Sequence, residues 1–230
     1  MIELNVIDNN DPLKRRVEKQ NEQEEFSPMD PPDAYLPPNL ETVPYDEMHP
    51  FLQFLMDEHQ TCSKELDAFE SAFLQIQEKG INPMVNETLG HFFEFFDNHI
   101  IRHNRKEEKI LFPFLNQRLL ENGEHGHGST PVTVVDMLED DHVKTIQLAA
   151  VVFNFFGLVM HLPDSNSRLV VLDVALENSK VLIEMLRLHF FREDNIVFAQ
   201  AHRLIPAGIL DAMEAQAGNE GRKSQEAGHD

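Results

Sequence analysis

The chain has 230 residues, enough for one sizeable domain with a buried core. It carries 40 acidic and 19 basic residues, a formal net charge of −21 that argues against binding to nucleic acid or to an anionic membrane surface. The single cysteine, Cys62, excludes an internal disulfide framework and favours a reducing compartment. We identify neither a signal peptide nor an uncharged apolar stretch of about 18 residues, so the sequence predicts a cytoplasmic protein without a membrane span.

The N-terminal segment differs from the rest of the chain. Eight of the 13 prolines lie within the first 50 residues, and residues 1–45 show no apolar periodicity. This composition predicts an extended or disordered arm, which is either a plain linker or a segment that packs on the body or on a partner protein. Residues 218–230 are rich in glycine and charge and predict a disordered tail. The domain is therefore expected over residues 46–217.

Four long segments in this domain carry apolar residues at helical spacing, at about 46–79, 83–122, 131–162 and 165–205. Asn82 and Thr130 each precede a proline and predict helix starts, Gly80 predicts a helix end, and Pro113 should kink the second segment. Short connections between long helices predict an all-α fold, an up-down-up-down antiparallel four-helix bundle. A short helix after Pro206 is also expected.

Polar residues interrupt each apolar stripe at one place. His103 and His189 are followed four residues later by Glu107 and Glu193, a spacing that puts each pair on one helix face; His59 and His142 interrupt the other two segments. His59 and His103 both lie 22 residues from a turn near residue 81. At ~1.5 Å per residue both are about 33 Å from that end of the bundle. His142 and His189 lie 23 and 24 residues from a turn near residue 165, so one core layer should hold all four.

Two carboxylates in that layer indicate a bound cation, because buried carboxylates without one are costly. A purely structural polar layer is the alternative. Imidazole and carboxylate ligands suit iron, manganese or zinc. Six ligands are too many for one tetrahedral zinc and fit two metals bridged by both carboxylates. With an oxo or hydroxo bridge, each metal would keep about one open position for a small diatomic or peroxide ligand such as O2, NO or peroxide.

The order of these residues resembles the hemerythrin-like HHE cation-binding domain over roughly residues 47–205. The order is His59, then His103-Asn-Arg-Lys-Glu107 running into Ile-Leu-Phe-Pro, then His142, then His189-Phe-Phe-Arg-Glu193. The resemblance implies a four-helix bundle with a non-haem centre of two Fe ions. It also implies that the four His are terminal ligands and the two Glu are bridging ligands.

Several residues near these ligands have candidate roles of their own. Oxygen-carrying hemerythrins have a fifth His four residues after the one on the third helix; here that residue is Ile146, which argues against reversible oxygen transport. His99 is a possible extra ligand, and Glu58 and Glu139, with Asp141, are candidates to hold imidazole N–H groups. Glu108 is expected to lie about 100° around the helix from Glu107, away from the metals.

The sequence therefore predicts a non-haem di-iron protein that binds or senses O2, NO or reactive oxygen species, with a possible protein partner for its output. A di-iron enzyme or iron donor, for NO or peroxide reduction or for repair of iron–sulfur centres, is the alternative. Resemblance to the iron-centre repair proteins is incomplete, because their N-terminal extension carries adjacent cysteines and the arm here carries none. A structural bundle whose arm docks a partner is a third possibility.

Overall fold

The computed structural model describes residues 42–80, 82–126, 128 and 130–226, and the regular elements in these ranges are all helical. This confirms the all-α class, while most of the predicted N-terminal arm, residues 1–41, lies outside the described residues. A 3₁₀ turn at Tyr45–Glu47 precedes the α-helices α1 (Pro50–Lys79), α2 (Pro83–Phe95), α3 (Ile101–Lys106), α4 (Phe112–Glu121), α5 (Val134–His161), α6 (Ser165–Arg192), α7 (Phe198–Leu204) and α8 (Ala207–Glu226).

Capping side chains set the helix ends. Asn82 accepts a hydrogen bond from the third backbone N–H of α2, and Gly80 ends α1 with a φ of 75°. The predicted start of the third long helix at Thr130 is wrong, because Thr133 caps α5 instead. Thr133 and Asp136 form a reciprocal capping box, which satisfies two backbone donors at the start of α5.

Three π-helical turns interrupt the second and fourth long segments, at Phe96–Ile100, Glu107–Leu111 and Glu193–Val197. Pro113, where the sequence predicts a kink, lies in the first turn of α4, directly after the second π turn. An equivalent turn begins at Glu193 without a proline after it. Both of these π turns therefore begin at a glutamate of the polar layer and do not depend on a proline. Turns of this kind commonly mark functional sites.

The core consists of two apolar clusters with a polar layer between them. On α1, one cluster ends at Leu55 and the other begins at Cys62, with His59 between them. On α5, Leu138 and Ala149 flank His142 in the same way. Residue types that ligate metal ions thus occupy a fully buried layer with apolar packing on both sides.

The last helix, α8, confirms the short helix expected after Pro206 and packs Leu210 and Met213 into one of the two clusters. Its backbone continues to Glu226, so it includes most of the segment 218–230 that the sequence assigned to a disordered tail. Residues 227–230 lie outside the described ranges.

Helix α5 is long and apolar enough to cross a membrane by length and composition, a property that the sequence analysis did not single out. Only 28% of its most apolar 18-residue stretch is buried, and Phe153 and Met160 on this helix are more than half exposed. Core helices of water-soluble proteins pass the same test of length and composition, so this property alone is weak evidence for a membrane span.

His49 joins the start of α1 to the C-terminal helix. Its Nδ1 accepts a hydrogen bond from Phe51 N at 3.2 Å, and its Nε2 lies 3.3 Å from Asp211 on α8. We expect His49→Ala to lower the free energy of unfolding by about 1 kcal/mol, as loss of an N-cap does. Asp211→Asn should change it by less than about 0.5 kcal/mol, because the carboxylate is 71% exposed. Urea unfolding of the two variants checks this, and equal effects would contradict the capping role.

Candidate metal centre

Four histidines meet in the buried layer as two pairs. His59 Nε2 lies 2.8 Å from His103 Nε2, and His142 Nε2 lies 3.0 Å from His189 Nε2. All four side chains are 1% exposed. The structure therefore brings together the four histidines that the sequence placed at one depth.

The two glutamates join these pairs. Glu107 Oε1 lies 3.3 Å from His103 Nε2, while its Oε2 lies 3.5 Å from His142 Nε2. Glu193 Oε2 lies 3.2 Å from His59 Nε2, while its Oε1 lies 3.2 Å from His189 Nε2. Each carboxylate thus directs one oxygen toward each His pair.

This donor set fits metal cations. Two donor atoms at a right angle, each ~2.1 Å from one ion, lie about 3 Å apart, which agrees with the distance within each His pair. The oxygens of Glu107 and Glu193 are fully buried and have no hydrogen-bond partner. Two groups of four side chains, which share both glutamates, could each hold an ion: His59, His103, Glu107 and Glu193, and Glu107, His142, His189 and Glu193.

A second set of carboxylates holds the outer nitrogens of the histidines. His59 Nδ1 donates to Asp194 at 2.7 Å, and His103 Nδ1 donates to Glu58 at 2.9 Å. A hydrogen bond at Nδ1 fixes the ring so that Nε2 faces the centre. Glu58, proposed from the sequence for this role, is therefore in place, and Lys106 pairs with it.

Of the other two histidines, His142 has the same kind of hydrogen bond, whereas the buried Nδ1 of His189 has no hydrogen-bond partner. His142 Nδ1 donates to Glu108 at 2.8 Å, and His189 Nδ1 lies 3.9 Å from Asp141, which pairs with Arg192 at 2.9 Å. The expectation that Glu108 lies away from the site is wrong, because its position around the helix faces α5. Sequence reasoning also missed Asp194; both residues directly follow a bridging-position glutamate, which was the available signal.

Electrostatics favour a charged layer when no cation is bound. Burial opposes a charge on His103, but the adjacent Glu107 outweighs burial and raises the pKa of His103 to about 10. Burial also opposes a charge on His142, yet the adjacent carboxylates of Glu107 and Glu108 raise its pKa to about 9. Against its own burial, the charges on His103 and His142 hold the pKa of Glu107 well below its ordinary range.

The remaining candidates lie outside the two ligand groups. His99 is exposed and stacks on Phe95 with a ring-centroid distance of 4.5 Å, and half-buried Glu139 belongs to neither group. Ile146, where oxygen carriers have a histidine, is 41% exposed. Burial raises the pKa of the Cys62 thiol to about 12, which leaves it protonated and a poor nucleophile.

The fold and the layer define a helical protein with a buried His/Glu cation-binding centre. The family model of the hemerythrin HHE cation binding domain matches residues 51–201, and the chain belongs to this family. The resemblance noted from the sequence is thereby confirmed. A comparison with curated proteins gives no match.

The raised imidazole pKa values predict a pH-dependent apo-protein. His103 and His142 titrate at about 10 and 9 in the folded state, above their ordinary 6.5. Their contribution to stability is complete below pH 6.5 and disappears as the pH rises through about 9 to 10. We expect the urea midpoint of the metal-free protein to fall between pH 7 and 10.

The metal-loaded protein should show a much flatter profile, because a cation replaces the protons. His161→Ala, at an exposed residue, serves as the control and should follow the wild-type curve. A metal-free midpoint that stays constant up to pH 10 would contradict the charged layer.

Proposed function

We propose that this chain is a non-haem di-iron protein that binds or senses O2, NO or reactive oxygen species in the cytoplasm. The observation that carries the proposal is the pairing of four buried imidazoles by two carboxylates, each with one oxygen toward each pair. Two metal ions with shared carboxylates use every one of these donors, whereas a single ion would leave at least one His pair without a cation.

In this assignment His59 and His103 hold one ion, His142 and His189 hold the other, and Glu107 and Glu193 bridge them. Two iron ions, when bound, supply redox chemistry and open coordination positions. Asp194, Glu58 and Glu108 keep their imidazole rings oriented. Phe198 and Phe190 stack on His59 at ring-centroid distances of 5.6 and 4.5 Å and exclude water from that side.

The fold that we propose for this centre is the up-down-up-down antiparallel four-helix bundle. Phe69 stacks on Phe92 and His59 meets His103, so residue numbers rise along α1 while they fall along the second segment. The order in which the two apolar clusters occur along the chain is reversed between α1 and the second segment, which supports the same topology. The cluster with Leu55 precedes the polar layer on α1, but on the second segment it follows the layer, beginning at Ile110.

Ligand variants test the bridging assignment. Glu107→Gln and Glu193→Gln keep the side-chain shape but remove the bridging charge, so each should lower iron from about two per chain to one or fewer. Glu108→Gln replaces the charged acceptor of His142 Nδ1 with a neutral amide oxygen and should weaken metal affinity by about 10- to 100-fold. Exposed Asp97→Asn is the matched control and should keep full iron content.

Metal analysis and circular dichroism of the four purified variants measure iron and helicity together. Helicity should persist, since the two flanking clusters are apolar and independent of the charge. Full iron occupancy in both bridging variants would contradict a carboxylate-bridged pair.

A small-molecule experiment distinguishes binding from turnover. When NO is mixed anaerobically with the reduced, iron-loaded protein, we expect a stable optical adduct that persists after excess NO is removed. Catalytic consumption of NO or peroxide in the presence of reductant would contradict a binder or sensor and favour an enzyme. Transfer of iron to an apo iron–sulfur protein would favour an iron donor.

A further inference from the structure

The two halves of the layer correspond residue by residue. The carboxylate before His59, Glu58, contacts His103, and the carboxylate before His142, Asp141, faces His189. The correspondence extends to the matched pairs Lys106 and Arg192, Glu107 and Glu193, Glu108 and Asp194, and Phe112 and Phe198. The layer therefore has an approximate two-fold relation that exchanges the two His pairs.

Among the buried residues beside the layer, the relation fails most clearly at the position directly after His103 and His189. Phe190 directly follows His189 and stacks on His59 with a ring-centroid distance of 4.5 Å. The corresponding residue, directly after His103, is Asn104. Asn104 is 4% exposed, and its Oδ1 has no hydrogen-bond partner. One half thus has an aromatic ring where the other half has an unsatisfied amide oxygen.

Helix geometry places Asn104 on the side of the second His pair. Asn104 lies one turn before Glu108, so the two side chains leave the same side of the helix. Glu108 bonds His142. In the other half, Phe190 lies one turn before Asp194, and Asp194 accepts a hydrogen bond from His59. The Phe190 ring stacks on the ring of that same histidine. Asn104 therefore faces the His142 side of the centre.

A buried amide oxygen without a partner destabilises a folded chain, and native cores contain few of them. An apolar side chain would fill this position at less cost, as Phe190 does in the other half. We therefore interpret the Asn104 amide oxygen as a hydrogen-bond acceptor for a bound ligand. The buried residue three positions after His142 is Thr145, and the buried residue three positions after His59 is Cys62. The side chains near His142 are therefore more polar than those near His59.

We propose that the two sides of the centre accept different ligands, and that Asn104 makes the His142 side a subsite for a small ligand with an O–H or N–H donor. Hydrogen peroxide and hydroxylamine belong to this class. The side walled by Phe190 suits a ligand without a donor. The proposal rests on the proposed metal centre and names the residue that selects among its ligands.

The test uses the cobalt-loaded protein, in which visible absorption reports ligand binding without a change in oxidation state. Hydroxylamine carries hydrogen-bond donors, and azide carries none. Asn104→Leu should weaken hydroxylamine binding about tenfold relative to azide, the effect of one lost buried hydrogen bond. Asn104→Ala should give the same change in ratio if the larger side chain disturbs folding.

Gln200→Leu is the matched control. Gln200 is also buried, at 2% exposure, with an unpartnered Oε1, but it lies on α7, seven residues and about 10 Å along the chain of helical turns after Glu193. Its substitution should leave the ratio of the two affinities unchanged. In the metal-free protein, Asn104→Leu should unfold at the same or a higher urea concentration than wild type, because it removes an unsatisfied amide.

Equal changes in hydroxylamine and azide affinity, or a clearly lower urea midpoint for metal-free Asn104→Leu, would overturn the role of Asn104. The first outcome would mean that no hydrogen bond to a ligand exists, and the second that Asn104 has a structural partner in the protein. Failure of the wild-type protein to bind cobalt at all would instead overturn the metal centre itself.

Discussion

The burial of two carboxylates in a helical core is the constraint on which this structure depends. Glu107 and Glu193 have no measurable exposure and no hydrogen-bond partner, so solvation cannot offset their charge. The four imidazoles around them supply positive charge when protonated, and metal cations would supply more. Apolar clusters border the layer above and below. The same packing that isolates the site makes a cation there necessary for a satisfied core.

The outer carboxylates extend this charge balance toward the surface. Burial opposes ionisation of Glu58, yet His103 and Lys106 together lower its pKa. Burial likewise opposes ionisation of Asp141, and its neighbours His189 and Arg192 lower its pKa. Charges of alternating sign therefore run from the centre outward through imidazole, carboxylate and cation. Hydrogen bonds at Nδ1 fix the rings of His59, His103 and His142 before a metal arrives, which reduces the reorganisation that binding requires.

Periodicity was sufficient to predict the inner layer, because His59, His103, His142 and His189 each break an otherwise apolar stripe at one depth. It was insufficient for Glu108, since the position of an acidic residue around a helix does not reveal which neighbouring helix it meets. The π turns at Glu107 and Glu193 were also beyond prediction, because the register of backbone hydrogen bonds leaves no mark in the amino-acid composition.

The helix start at Thr133 was missed because Thr130-Pro131 gave a stronger local signal than the Thr133–Asp136 capping box. The unsatisfied amide of Asn104 could be recognised only after its burial was known.

Anomalous diffraction at the iron absorption edge, from crystals of aerobically purified protein, tests the central claim most directly. The claim predicts two iron peaks within the buried layer, one beside His59 and His103 and one beside His142 and His189, with Glu107 and Glu193 contacting both. A single peak, or iron only at exposed carboxylates, would contradict a carboxylate-bridged pair of metals.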